Sequence, residues 1–196
     1  RNESDKVAEY IVEARNLGIP VHPPDINASE WDFTIEDKPE GSAIRFGLGA
    51  VKNVGQAPVD LICAARQDGL FRDLGDFIQR VDLRQVGKRT LESLIKVGAM
   101  DAFGPRRSLL LMLDQLVAMS SSHFRQKESQ QLTFFGAVEG ISARISVAPD
   151  FNTDKRELLD WERELAGLYL SDHPLTPYAS ALKKKVSHSS SQLAEA

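Results

Sequence analysis

One cysteine, two tryptophans and no long apolar run set the first limits on this 196-residue chain. A lone thiol, Cys63, excludes an internal disulfide and fits a reducing compartment. It lies in an apolar stretch at helical spacing, where buried filler is a simpler reading than nucleophile. No stretch reaches the roughly twenty apolar residues that a membrane span needs, and no signal-peptide pattern opens the chain. The four histidines, His22, His123, His173 and His188, have no metal-ligand spacing with the one cysteine. No glycine-rich nucleotide loop is present. These absences leave a cytoplasmic protein with no membrane partner, no metal site and no cofactor of its own. The first residue is Arg1 rather than Met, which points to a longer parent chain.

What is present is 42% apolar and 27% charged, enough for a core within a soluble fold. The net charge of −4 argues weakly against nucleic acid, but its distribution is uneven. Residues 78–107 carry seven basic groups (Arg80, Arg84, Lys88, Arg89, Lys96, Arg106, Arg107) against three acidic ones. A solvated helix face explains such a cluster as well as a phosphate site does.

Hydrophobic spacing predicts a helix over 5–16, with Ser4 as N-cap, and a short strand over 19–22 stopped by Pro23-Pro24. A hairpin follows, with strands over 31–36 and 42–48 around the turn residues 37–41. From residue 48 the period turns helical. Helices are expected after Gly55, over 74–81, after Gly87 and over 107–119. Residues 120–153 lose periodicity, carry Ser120-Ser121-Ser122 and read as a linker. A helix is expected over 157–169 with Leu158, Trp161, Leu165 and Leu168 on one face, and a last one over 176–185. Asp73 and Asp76 read as helix-start residues, whereas Glu30 and Asp32 flank Trp31 in surface turn and strand. The class is mostly α (α+β): a small helix-plus-strands unit, then helical hairpins and further helices.

The most informative feature is an internal repeat. Asn53-Val54-Gly55-Gln56-Ala57-Pro58-Val59-Asp60 aligns with Gln85-Val86-Gly87-Lys88-Arg89-Thr90-Leu91-Glu92. Each copy is a polar residue, an inward valine, a glycine and then an amphipathic helix, with a helix expected before each turn. A glycine takes positive φ that other residues resist, so the chain can reverse in few residues. The turn then presents backbone N–H groups at the start of the second helix, where orphan donors and the helix dipole favour an anion. Two such turns suit two phosphates of one duplex, and phosphate contacts do not report base identity. The second copy is the more basic, with Arg84, Lys88 and Arg89, against Lys52 beside the first. The alternative is a pair of ordinary helical hairpins whose glycines serve only as C-caps.

The repeat and its surroundings resemble the tandem helix-hairpin-helix region of the C-family replicative polymerases, the bacterial DNA polymerase III alpha subunits. Gly18-Ile19-Pro20-Val21-His22-Pro23-Pro24-Asp25-Ile26-Asn27 resembles the end of that family's fingers domain. Phe46-Gly47-Leu48-Gly49-Ala50-Val51-Lys52-Asn53-Val54-Gly55 is similar to its first hairpin, and Leu91-Glu92-Ser93-Leu94-Ile95-Lys96-Val97-Gly98-Ala99 to the helix after its second. Leu165-Ala166-Gly167-Leu168-Tyr169-Leu170-Ser171-Asp172-His173-Pro174-Leu175 resembles the segment leading to its C-terminal barrel. Asn53 stands where the family often has glycine, and asparagine tolerates left-handed backbone; Gln85, at the matching place in the second copy, tolerates it less.

The resemblance implies four parts: 1–46 as the end of the fingers, 47–119 as the tandem hairpins, 120–153 as a linker, and 154–196 as helices towards a barrel. It implies duplex DNA held at Lys52, Asn53, Val54, Gly55, Arg84, Gln85, Val86, Gly87, Lys88 and Arg89. It also implies a sliding-clamp peptide at Gln131, Leu132, Thr133, Phe134 and Phe135, with Phe134 where leucine or methionine is more usual, and contacts to other replicase subunits through the parent chain. The parent is expected to be a DNA-directed DNA polymerase using Mg. The closely spaced acidic triplet of that chemistry does not occur here, so this segment is expected to catalyse nothing alone. Two other readings stay open: a free-standing binding module of the repair type, and an adaptor that binds only the clamp, with the hairpins as scaffold.

Overall fold

The computed structural model describes residues 3–39, 41–130, 145–149 and 153–178. It opens with α1 (Glu3–Asn16) and a three-stranded sheet of β1 (Val21–His22), β2 (Thr34–Lys38) and β3 (Gly41–Arg45). The strand order is β1-β3-β2. β1 runs parallel to β3 with Val21 opposite Ile44, and β2 runs antiparallel to it with Ile35 opposite the same residue. The expected hairpin is therefore present, shifted by a few residues. Its face is pinned by Glu36, which accepts from Arg45 Nε at 2.6 Å and lies 2.8 Å from His22 Nδ1. The Arg45 guanidinium holds the Glu36 carboxyl at about 2, well below the usual range.

After the sheet, Gly47 and Gly49 run against the 31–32 backbone and the Trp31 ring. A Cβ on Gly47 would sit 2.5 Å from the Asp32 carbonyl carbon, and one on Gly49 would sit 2.6 Å from the indole. These two glycines therefore serve close packing. The 3-10 turn Leu48–Ala50 and α2 (Gln56–Arg66) follow, then α3 (Leu74–Arg80), α4 (Leu83–Val86) and α5 (Lys88–Lys96). Asp73 caps α3 by accepting from the Asp76 backbone N–H at 2.8 Å. The side chain of Asn27 bridges to residue 71 twice, donating to the Phe71 carbonyl at 2.9 Å and accepting its N–H at 2.8 Å. One core runs from Ile11, Ile26 and Phe46 through Val59, Phe77 and Leu94 to Leu170, so the sheet unit and the helices share a single interior.

The helix expected over 107–119 is longer. α6 spans Arg106–Gln130 and packs along α3, α4 and α5. The serine run that reads as a linker is helical, and Ser120 is fully buried one turn beyond Leu116 on the face of Leu109 and Leu113. Its hydroxyl accepts the Leu83 N–H and donates to the Val81 carbonyl, both at 3.1 Å. It thereby satisfies the first amide of α4, beside the Asp82 side chain that caps the second. The linker reading thus fails for residues 120–130, because a buried serine did the work of an apolar core position.

α7 (Lys155–Ala166) is capped by Asp154 and stopped by Gly167 in left-handed geometry, at φ 82°. It ends before the expected Tyr169 and presents a different face, with Leu159, Glu162, Leu165 and Ala166 buried. Glu162 is in the interior because Arg106 meets it there, Nη1 to Oε1 at 3.0 Å. Beyond it, Thr176–Tyr178 form a 3-10 turn, and the remainder of the expected helix over 176–185 lies outside the described residues.

Candidate nucleic-acid interface

The two copies of the repeat are adjacent and brace one another. Thr90 at the start of α5 donates its hydroxyl hydrogen bond to the Asn53 carbonyl at 3.1 Å, and the Asn53 amide donates to Ser93 Oγ at 3.3 Å. Val54 and Val86 are both buried, as the repeat requires. The helix expected before each turn is short in both cases: a 3-10 turn, Leu48–Ala50, in the first copy and the four-residue α4 in the second.

The backbone solves the reversal differently in each copy. In the first, Asn53 takes left-handed geometry at φ 66°, the one non-glycine residue with positive φ among the described residues, and Gly55 is extended at φ −94°. In the second, Gln85 is helical within α4, and Gly87 makes the turn at φ 83°. Gln85 is thus relieved of a conformation that suits it poorly. Gly87 needs to be glycine for its φ. Gly55 does not: its φ is ordinary, and a Cβ there would make only normal contact, 3.6 Å from Pro58 Cδ. Both glycines are N-caps without a side-chain cap, so no capping side chain serves the first amides of α2 and α5. Pro58 removes one donor from the first set, leaving the second the richer.

The basic cluster is largely neutralised from within. Arg84 forks onto Asp82, with Nη2 2.6 Å from Oδ2, and reaches Glu128 at 2.6 Å. Hydrogen bonding to Asp82 and then Glu128 raises its pKa further. Gln85 donates to the same Asp82 at 3.2 Å, and Asp82, chiefly through Arg84, is held below the usual carboxylate range. Lys88 pairs with Asp114 at 2.6 Å, Arg80 with Asp76 at 3.2 Å, Lys96 with Glu92 at 2.7 Å, and Arg107 with Glu157 at 3.5 Å. Arg80 also donates to the Ala65 and Gly69 carbonyls and stacks on Phe71, so it closes the end of α2. Arg106 is interior. Arg89 and Lys52 are exposed without an ion-pair partner among the described residues; the Lys52 backbone N–H is tied to the Leu165 carbonyl at 2.9 Å.

Sequence reasoning counted Arg106 in the basic cluster and missed its buried pairing with Glu162. A Cβ on Gly98, at φ 90°, would overlap the Arg106 guanidinium, so this glycine makes room for the ion pair. Cys63 is inert: burial, above all, pushes its thiol up to about 11. Among the described residues no group of His, Cys, Asp and Glu stands together as a metal site, and no helix is long and apolar enough to cross a membrane. Gln131, Leu132, Thr133, Phe134 and Phe135 lie outside the described residues.

Two braced turns, each feeding an uncapped helix start, define a helix-hairpin-helix protein, and the helix-hairpin-helix motif family matches residues 18–110. Similarity to whole proteins is more specific. The chain is 43% identical over 179 residues to DNA polymerase III subunit alpha of Thermus aquaticus, covering 91% of this chain and 14% of that protein. Against the same subunit of Vibrio cholerae it is 37% identical over 192 residues, 95% of this chain and 16% of that protein. Against that of Haemophilus influenzae it is 36% identical over 187 residues, 92% and 16%. The chain belongs to the DNA polymerase III alpha-subunit family, and it spans only 14–16% of the length of these relatives.

Proposed function

We propose that this chain is the part of a cytoplasmic, Mg-using DNA-directed DNA polymerase that holds duplex DNA without reading its sequence. The observation that carries this reading is the pair of glycine N-caps. At Gly55 neither backbone geometry nor packing asks for a glycine, and the missing side chain leaves room for a group approaching the helix start from outside. A phosphate accepting N–H groups from Gln56 and Ala57 fits that approach, and a second phosphate on Lys88, Arg89 and Thr90 fits the other turn. Lys52 and Arg89, which have no ion-pair partner among the described residues, flank the two turns. The contacts are few, so the isolated chain should bind a short duplex at micromolar strength or weaker, with affinity falling steeply as salt rises. Fluorescence anisotropy against a labelled duplex and its single strand, at low and moderate salt, tests this. Absence of any duplex binding at low salt would overturn it.

The second part of the proposal concerns the sliding clamp. Gln131 would hydrogen-bond at a pocket rim while Leu132, Phe134 and Phe135 fill apolar pockets. Phe134→Ala with Phe135→Ala is expected to abolish clamp binding by surface plasmon resonance while leaving duplex affinity unchanged. Equal loss of both would indicate misfolding instead. The internal neutralisation of the basic cluster favours one competing reading, in which the hairpins are scaffold and clamp attachment is the whole role. Low-salt duplex binding separates the two.

A further inference from the structure

α6 carries two carboxylates to the second hairpin, and they act on its cations in different ways. Near its middle, Asp114 Oδ1 lies 2.6 Å from Lys88 Nζ, with the two side chains 82% and 57% exposed. Near its C-terminal end, Glu128 Oε1 lies 2.6 Å from Arg84 Nη2. Arg84 has a second, closer hold. Asp82 is buried, caps α4, and takes the guanidinium through both Nε and Nη2 at 2.9 Å and 2.6 Å. Removing Glu128 would therefore leave Arg84 where it is. Lys88 has no such second hold among the described residues. It is the first residue of α5, beside the uncapped amides that follow Gly87.

We infer that Asp114 sets the strength of the second hairpin's grip on duplex DNA, by occupying the ammonium of Lys88 that would otherwise meet a phosphate. The inference rests on the duplex-holding reading above. An ion pair this exposed is weak, because water and salt screen both partners. It is a competitor a phosphate can displace, at a cost to affinity. A carboxylate on the phosphate path adds repulsion of the same sign. Asp114 thus lets a polymerase segment hold DNA by backbone amides yet release it readily as the duplex slides.

The experiment is anisotropy on the whole 196-residue chain with a short labelled duplex, across a salt series. Asp114→Asn is expected to tighten low-salt binding by roughly three- to tenfold, because a phosphate no longer has to displace a carboxylate from Lys88. Glu128→Gln is the charge-matched control. It changes net charge equally and should leave the affinity close to that of the wild type. Lys88→Ala in the Asp114→Asn background should abolish the gain. Wild-type affinity in Asp114→Asn would overturn the inference, and so would an equal gain in Glu128→Gln. Failure of the wild type itself to bind duplex would instead overturn the duplex-holding reading on which this one rests. Both carboxylates are on the surface, so unfolding is not expected; circular dichroism confirms it.

Discussion

Replacing Glu162 with alanine is expected to lower the unfolding free energy by about 3–5 kcal/mol, the range for breaking one side of a buried ion pair. Glu162 is fully buried, and the Arg106 side chain is 8% exposed. The carboxylate accepts from Arg106 Nη1 at 3.0 Å and from the backbone N–H groups of Leu170 and Ser171 at 2.8 and 3.0 Å. Alanine would strand the Leu170 amide and part of a guanidinium in the interior, each at the cost of desolvation, and would remove the partner of the part-buried Ser171 amide. The loss is bounded because Arg106 keeps Asp101, through Nε at 2.9 Å, and the Lys96 carbonyl at 3.1 Å. Burial lowers the arginine's pKa and the two carboxylates more than restore it, so the guanidinium stays charged in either protein. Glu162→Gln keeps the size and one acceptor oxygen, and should fall between the two. Urea denaturation measures all three. A loss below about 1 kcal/mol for the alanine variant would mean that the pair contributes nothing beyond its own desolvation cost.

That ion pair also shows where reading the residues alone runs out. The repeat was legible because it is local: a valine and a glycine at fixed spacing ahead of an apolar period specify a turn and a helix whatever lies elsewhere. Val54 and Val86 are buried as that pattern requires, but the reversal itself falls on Asn53 in one copy and on Gly87 in the other, a choice the shared pattern does not make. α6 runs on to Gln130, whereas apolar spacing ends the helix at 119 because Ser120 continues a stripe of leucines with a hydroxyl. Its role is visible only once the Leu83 N–H and the Val81 carbonyl are placed on either side of it. The buried face of α7 differs from the apolar face of its sequence for a similar cause. Its buried face includes Glu162, which no hydrophobic count would place inside before Arg106, from another helix, is known to meet it. Most instructive is the basic window 78–107. Asp114, Glu128 and Glu157 neutralise it from outside its own span, and Asp76 does so from just before it. A charge count along the chain cannot see a partner brought in by the fold.

Against that neutralised background, Lys88→Glu with Arg89→Glu is expected to weaken duplex binding several-fold to about tenfold and to flatten its salt dependence by about one to two units of log–log slope. Arg89 should supply most of the effect. It is exposed with no ion-pair partner among the described residues, so a phosphate takes it without displacing anything. Lys88 must first leave Asp114, and its share is reduced by that exchange. The reversed charges would also stand beside the first amides of α5 and repel the phosphate those amides attract, which is why reversal should exceed simple neutralisation. Neither side chain is in the core, so the fold should survive, and a thermal melt close to that of the wild type checks it. Anisotropy across salt reads both quantities at once. A double variant that binds as the wild type does would remove the second hairpin from the DNA path, and the grip would then have to lie on the first hairpin, at Lys52 and the amides after Gly55.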